Sequence, residues 1–477
     1  MRYVKILLLI VLSVASLAPA AAQEDGNSPL FELLALVPDN DMSRVQGEWQ
    51  TFSEELTVSY VNLDAVESAR EPVVNPAGYE AFTALSEDMQ DLWWSNISRI
   101  AVGTGELLSV STLTYGEFVR DAIGFETFGI DQYVEVGRPP IQLTVMAGNF
   151  DPDAIATAHT NRDYAANDVN GVTVWRRADG EPDSTYQTSF PGETRDPETL
   201  KRVGAEIHRA TPFGGRMGRK EPMAVMPTDG DTVYTAVTIN WDLMTGVVDA
   251  YNGEGRSLAD APDYRTLAEA ITGGSAGAFL RPARDVGVLV QAQFIALSYD
   301  EPHDVMWTYE AAIRAIDELS LSDTEALIAQ FFCGYGELPP STLAVIADLQ
   351  DGDDAIAMVA LYYPDAETAE LAAAELGVRV PTLNGYLEWR EPEPYTEWVV
   401  EGARPGEPYV YTSQTTGHSA AVMMVRYDIP PPTPGEEDFI ITPGRLMLFW
   451  MRAVYSATFH PIQQIDLSFL DERDLCE

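Results

Sequence analysis

Thr342-Leu-Ala-Val-Ile-Ala-Asp-Leu-Gln-Asp351-Gly-Asp-Asp354-Ala-Ile-Ala-Met-Val-Ala-Leu-Tyr-Tyr363-Pro364-Asp365 decides how this chain folds. Two β-rich runs, Thr342 to Ala347 and Ala355 to Tyr363, flank the turn Asp351-Gly352-Asp353-Asp354. An acid–glycine cluster between apolar runs predicts an antiparallel hairpin. Pro364-Asp365 then opens an Ala/Glu/Leu-rich helix through Leu376, since proline is tolerated in a first helical turn.

A related pattern lies upstream. Ile141 to Ala147 is β-rich, Asp151 caps and Pro152 starts a helix to about His159, and Asn170-Gly171 turns into a strand through Arg176. Val145 to Asp153 and Val359 to Asp365 share one order: strand, aromatic, acid/proline cap, helix. This predicts an α+β fold of two α/β-sandwich-like, ferredoxin-like units, related by duplication, with mixed or antiparallel sheets packed by helices. Further strands are expected at Leu56 to Val61, Asp231 to Ile239, Val286 to Ser298, Tyr409 to Ser413 and Ala420 to Tyr427. Helices are expected at Leu30 to Leu36, Asn62 to Arg70, Tyr79 to Ile100, Tyr115 to Ile123, Trp241 to Tyr251 and Tyr264 to Ile271.

The irregular stretch around 178–222 suggests the division of the chain. Residues 1–22 read as a signal peptide, 23–177 as an N-terminal α+β domain, 178–222 as a basic, Gly-rich linker or excursion, 223–465 as a C-terminal α+β domain and 466–477 as a tail. In the first segment Arg2 and Lys5 precede an apolar run from Ile6 to Ala18, and Ala20-Ala21-Ala22 supplies a small-residue cleavage site. Export is therefore expected, to the periplasm or the exterior of a bacterial cell. Leu446 to Phe459 is too short to span a bilayer and contains Arg452, so no transmembrane segment is expected after the signal.

The chain carries 74 acidic and 29 basic residues, a net charge of −45. A polyanion repels nucleic acid and anionic lipid, so a general nucleic-acid role is excluded. With 46% hydrophobic and 10% aromatic residues it still has ample core material. Cys333 and Cys476 are the two cysteines. Export permits a disulfide between them, which would tether the tail.

The candidate sites differ in strength. Gly273-Gly-Ser275-Ala-Gly277 has the spacing of a nucleophile elbow, but a helix precedes it and a β-like run follows, the reverse of the required order. His303, His418 and His460 come after Ser275; with His159 and His208 they complete the histidines, and no pair has metal-ligand spacing. Asp348, Asp351, Asp353 and Asp354 crowd one turn but lack the twelve-residue calcium-loop pattern. The basic exception is Lys201 to Glu221, where Lys201, Arg202, Arg209, Arg216, Arg219 and Lys220 sit among glycines. Arginine forks there suit an anion or partner, or the protein's own acidic surface. Trp389 and Trp398 are interleaved with carboxylates including Glu393 and Glu397, a composition suited to carbohydrate contact or, with paired acids at the right separation, glycoside hydrolysis. No catalytic residue, cofactor or metal is assigned. The expectation is a secreted, acidic, non-enzymatic binding protein whose partner is an envelope component or a small anionic or sugar ligand. The alternatives are an extracellular hydrolase with dispersed residues and a carbohydrate-binding protein.

Overall fold

In this computed structural model the described residues are, with short interruptions, 28–40, 57–68, 76–97, 120–138, 141–177, 222–273, 287–297, 332–382, 384–394 and 403–428. Isolated positions near 329 and between 444 and 476 complete them.

The first part of the chain supplies α1 (Pro29–Leu34), β1 (Thr57–Asn62), α2 (Leu63–Ser68), α3 (Tyr79–Thr83) and α4 (Glu87–Ile97). There follow β2 (Ile130–Arg138), β3 (Ile141–Gly148), α5 (Pro152–Thr160), β4 (Tyr164–Val169), β5 (Val172–Arg177), β6 (Met223–Pro227) and β7 (Val233–Thr238). Next come α6 (Trp241–Tyr251), α7 (Pro262–Ile271), β8 (Val288–Ala296), β9 (Leu343–Asp351), β10 (Asp354–Tyr363) and α8 (Ala366–Thr382). The small strands β11 (Asn384–Leu387), β12 (Arg390–Pro394), β13 (Arg404–Pro405) and β14 (Tyr409–Thr412) lead to β15 (Ser419–Asp428).

Thirteen of these strands form one sheet, in the order β13-β15-β10-β9-β8-β1-β2-β3-β7-β6-β5-β4, with β14 also on β15. Neighbours throughout it are antiparallel. The fold is thus mixed α+β around a large antiparallel sheet. The sheet runs unbroken across the 178–222 stretch: β6 and β7 pair with β5 and β3. The pairing of β1 with β8, Tyr60 opposite Ala292, joins the earlier strands to the later ones.

Helices cover both faces, which explains the continuous apolar runs. On β10, Ala357, Val359 and Leu361 enter the core beneath α5, α8 and Leu446, whereas Ile356, Met358 and Ala360 enter the core beneath α1, α6 and α7. A strand buried on both faces loses the polar/apolar alternation of a half-exposed one. The 342–365 hairpin forms as read, with Gly352 at φ 60° in its turn. Asp151 caps α5 by accepting from the Asp153 amide at 2.9 Å. Asn170 and Gly171, both at positive φ, turn β4 into β5.

Several elements differ from the sequence reading: β4 and β6 were not expected, and the helix expected at Tyr79 to Ile100 is two, α3 and α4. The strand at 172–177 does not lie beside β3, because β7 and β6 intervene and its partners are β4 and β6. Strand β2 was not expected, since Asp131, Gln132 and Glu135 interrupt its apolar pattern. It is nevertheless central, flanked by β1 and β3.

Cys333 and Cys476 form the anticipated disulfide, with Cα atoms 5.4 Å apart. Gln464 reinforces the tether by exchanging two hydrogen bonds with the Ser341 backbone. Beside the bridge, Arg379 of α8 is 1% exposed. It pairs with Glu375 at 2.9 Å, donates to the Gly336 carbonyl and stacks on Phe332. Among the described residues, no helix is long and apolar enough to cross a membrane.

Candidate functional site

The sequence candidates separate on inspection. Arg202, Arg209, Arg216, Arg219 and Lys220, the tryptophans Trp389 and Trp398, and Ser275, His208, His303, His460 and Glu397 lie outside the described residues. Glu393 is in β12, paired opposite Gly385. His159 is buried in the core: its Nδ1 contacts the Ile155 carbonyl at 2.9 Å, and its ring packs on Tyr164 and Trp175. Burial lowers its pKa to about 4, so the ring is neutral at pH 7. Of the acidic turn, Asp353 lies outside the described residues, and Asp351 and Asp354 are paired with arginines. Arg426 reaches Asp351 at 2.6 Å, and Arg404 reaches Asp354 at 3.3 Å and Asp428 at 2.6 Å. Asp348 points inward and accepts from Gln291 at 3.0 Å. Among the described residues, no three His, Cys, Asp or Glu side chains are arranged to hold a metal ion.

A different set of side chains converges at one end of the sheet. The pocket there has a volume of about 290 Å³ and is lined by Glu32, Asn62, Asp64, Asp131, Gln132 and Val288, among others. Its walls come from α1, the end of β1, the start of α2, the start of β2 and the start of β8. A register shift builds one wall. Ile130 pairs with Gly148 and Gln132 with Ala147, leaving Asp131 as the extra residue of a bulge. A bulge re-aims side chains out of strict alternation, and here Asp131 and Gln132 both line the pocket. Asn62 fixes the next wall, where its side chain accepts from the Ala65 amide at 3.0 Å and caps α2.

Two tyrosines brace the polar groups from behind. Tyr60 donates to Gln132 Oε1 at 3.1 Å, and Tyr234 donates to Glu32 Oε2 at 3.2 Å. Tyr60 is buried, and burial holds its hydroxyl far above the ordinary phenol range, with Glu32 and Asp64 adding to the effect. Tyr234 is pushed up to about 12, first by burial and then by Glu32.

Asp131 is held up to about 6, mainly by burial and then by the neighbouring charge of Asp64, while Asp64 is itself raised by burial. The described lining contains no Lys, Arg or His. The site is therefore a negatively charged cup with amide groups in its lining and tyrosine supports, Tyr60 buried and Tyr234 partly buried. Such a cup attracts cations through its unneutralised charge. Among the described residues, its lining offers no Ser or Cys beside a His.

The class defined by these observations is a mixed α+β protein with a doubly covered antiparallel sheet and an acidic end pocket. Comparison with protein-family models, curated proteins and solved structures found no match to this chain. The pocket residues were not singled out from sequence, because they come from six separate stretches and none sits in a motif. The one local signal was the pair Asp131-Gln132 at the head of an otherwise β-rich run.

Proposed function

We propose that the protein is an exported, non-enzymatic binding protein whose acidic pocket takes a small organic cation, such as a primary amine or diamine. The observation that carries this reading is the displacement of Asp131 to about 6 in a pocket with three carboxylates and no described counter-cation. An ammonium group would relieve the repulsion of Asp131 by Asp64. An organic cation suits the spacing better than a metal ion, because the carboxylates surround a volume rather than converge on one point. Export is supported by the signal-like residues 1–22 and by a disulfide, which persists in oxidising compartments.

Calorimetric titration of the full chain with putrescine at physiological salt tests the proposal. The expected result is saturable binding at one site, weakened at least about tenfold at pH 5 or by Asp131→Asn. Non-saturable, salt-screened binding that is the same in Asp131→Asn would refute it, since a chain of −45 attracts amines weakly everywhere.

We infer that β1-β2-β3-α5-β7 and β8-β9-β10-α8-β15 are two copies of one α/β unit that meet through β1 and β8. Both contain a hairpin followed by a helix on the same face of the sheet. Glu135, opposite Ser59, corresponds to Asp348, opposite Gln291, and all four are buried. A crystal structure in which the two sets fail to superpose would dispose of this inference.

A further inference from the structure

A second cleft, of about 560 Å³, lies beyond the other end of α1 and is lined by Asp39, Asn40, Arg256, Pro262, Asp263 and Tyr362, with Thr342. It differs from the acidic pocket in carrying both signs of charge. Arg256 contacts Asp39 at 3.0 Å while remaining 70% exposed. The Asp39 amide in turn donates to the Arg256 carbonyl at 2.9 Å, so the two segments hold each other in place. A guanidinium has five N–H donors in a fixed fork, more than a single carboxylate contact uses. Across the cleft, Asp263 opens α7 and lies within electrostatic reach of the Tyr362 hydroxyl. Tyr362 is fixed by a 2.6 Å hydrogen bond with His418 Nδ1, which orients its ring and hydroxyl.

We propose that this cleft is a second ligand site, for a small zwitterion with an ammonium and a carboxylate close together, the simplest being an amino acid. Arg256 takes the carboxylate through its remaining N–H groups, because arginine's planar fork matches carboxylate geometry. Asp263 takes the ammonium, and Tyr362 forms the wall beside it, where an aromatic face adds favourable contact to a cation. The volume leaves room for a side chain beyond the two charged groups. The proposal is independent of the acidic pocket, with which this cleft shares no lining residue.

The test is calorimetry on the full chain carrying Asp131→Asn, so that amines are not drawn to the acidic pocket, with three probes: L-leucine, isopentylamine, which lacks the carboxylate, and 4-methylpentanoate, which lacks the ammonium. Leucine is expected to bind, with each truncated probe weaker by at least about tenfold. Asp263→Asn should reduce the preference for leucine over 4-methylpentanoate, and Arg256→Met the preference over isopentylamine. Because Arg256 also holds Asp39, thermal melts accompany the titrations, and Arg256→Lys keeps the charge while losing the fork. Isopentylamine binding as tightly as leucine would overturn the proposal. So would the absence of leucine binding at about 10 mM, a concentration that reveals even millimolar affinity.

Discussion

The strands β1-β2-β3-β7 and β8-β9-β10-β15 occupy corresponding places on either side of the β1–β8 pairing, yet they are built differently. The later set is apolar on both faces along most of β10 and β15. It is covered by the 17-residue α8 and closed by Arg379 and the Cys333–Cys476 bridge. The earlier set has a shorter, nine-residue covering helix. Both sets have a register shift, at Asp131 in the earlier and between Leu289 and Gln291 in the later, and both bury polar groups, Ser59 and Glu135 in one and Gln291 and Asp348 in the other. The difference lies in what surrounds the strands: a longer helix and a disulfide close the later set, whereas the bulge of the earlier set places Asp131 in a pocket. Irregularity of this kind costs stability and is tolerated where a site needs it.

That contrast can be broken at its strongest point first. Replacing Cys333 and Cys476 with serine should cost up to about 4–5 kcal/mol in the chain-entropy account of a loop of this length. Denaturant unfolding of the paired variant and the parent measures it, and equal midpoints would remove the bridge from the account. Arg379→Met comes next. Losing a buried cation's contacts to Glu375 and Gly336 should cost about 3 kcal/mol, partly offset by the methionine's packing. If the variant melts with the parent, the clamp at α8 contributes nothing.

Acid should act through the earlier set. His159 is neutral in its core site, with a pKa lowered to about 4 from 6.5. Its contribution to stability is present above 6.5 and is lost as the pH falls toward 4, roughly 2–3 kcal/mol in all. A melting series from pH 7.5 to 4 should show the fall, and His159→Gln should be less sensitive to acid. Asp131 has the opposite sign. Its raised pKa means that stability is present below about 4 and is lost as pH rises through about 6. Asp131→Asn should therefore raise the melting temperature at pH 7, by less than about 1 kcal/mol of stability since the group is half-exposed. A lower melting temperature would contradict the repulsion assigned to the pocket.

Much of the local structure was legible in the chain. The 342–365 hairpin followed from two β-rich runs around Asp351-Gly352, and the start of α5 from Asp151-Pro152. Both depend on residues adjacent in sequence, where turn and cap chemistry act directly. Strand β2 escaped because its buried Gln132 and Glu135 imitate the polar face of a surface strand. The union of early and late strands in one sheet was not readable either. Residues 57–61 pair with 291–295, and no local pattern encodes a contact across that separation. The acidic pocket escaped for the same reason. Glu32, Asp64 and Asp131 are unremarkable acids in a chain of many until the fold collects them and a bulge turns Asp131 toward the others.

The most direct measurement is the titration of the Asp131 side-chain carboxyl by carbon NMR, with and without putrescine. The account predicts a pKa near 6 in the free protein, falling toward the ordinary aspartate range when the amine binds and neutralises its neighbours. An Asp131 that titrates near 4 in the free protein, or whose pKa is unmoved by the amine, would contradict the central claim.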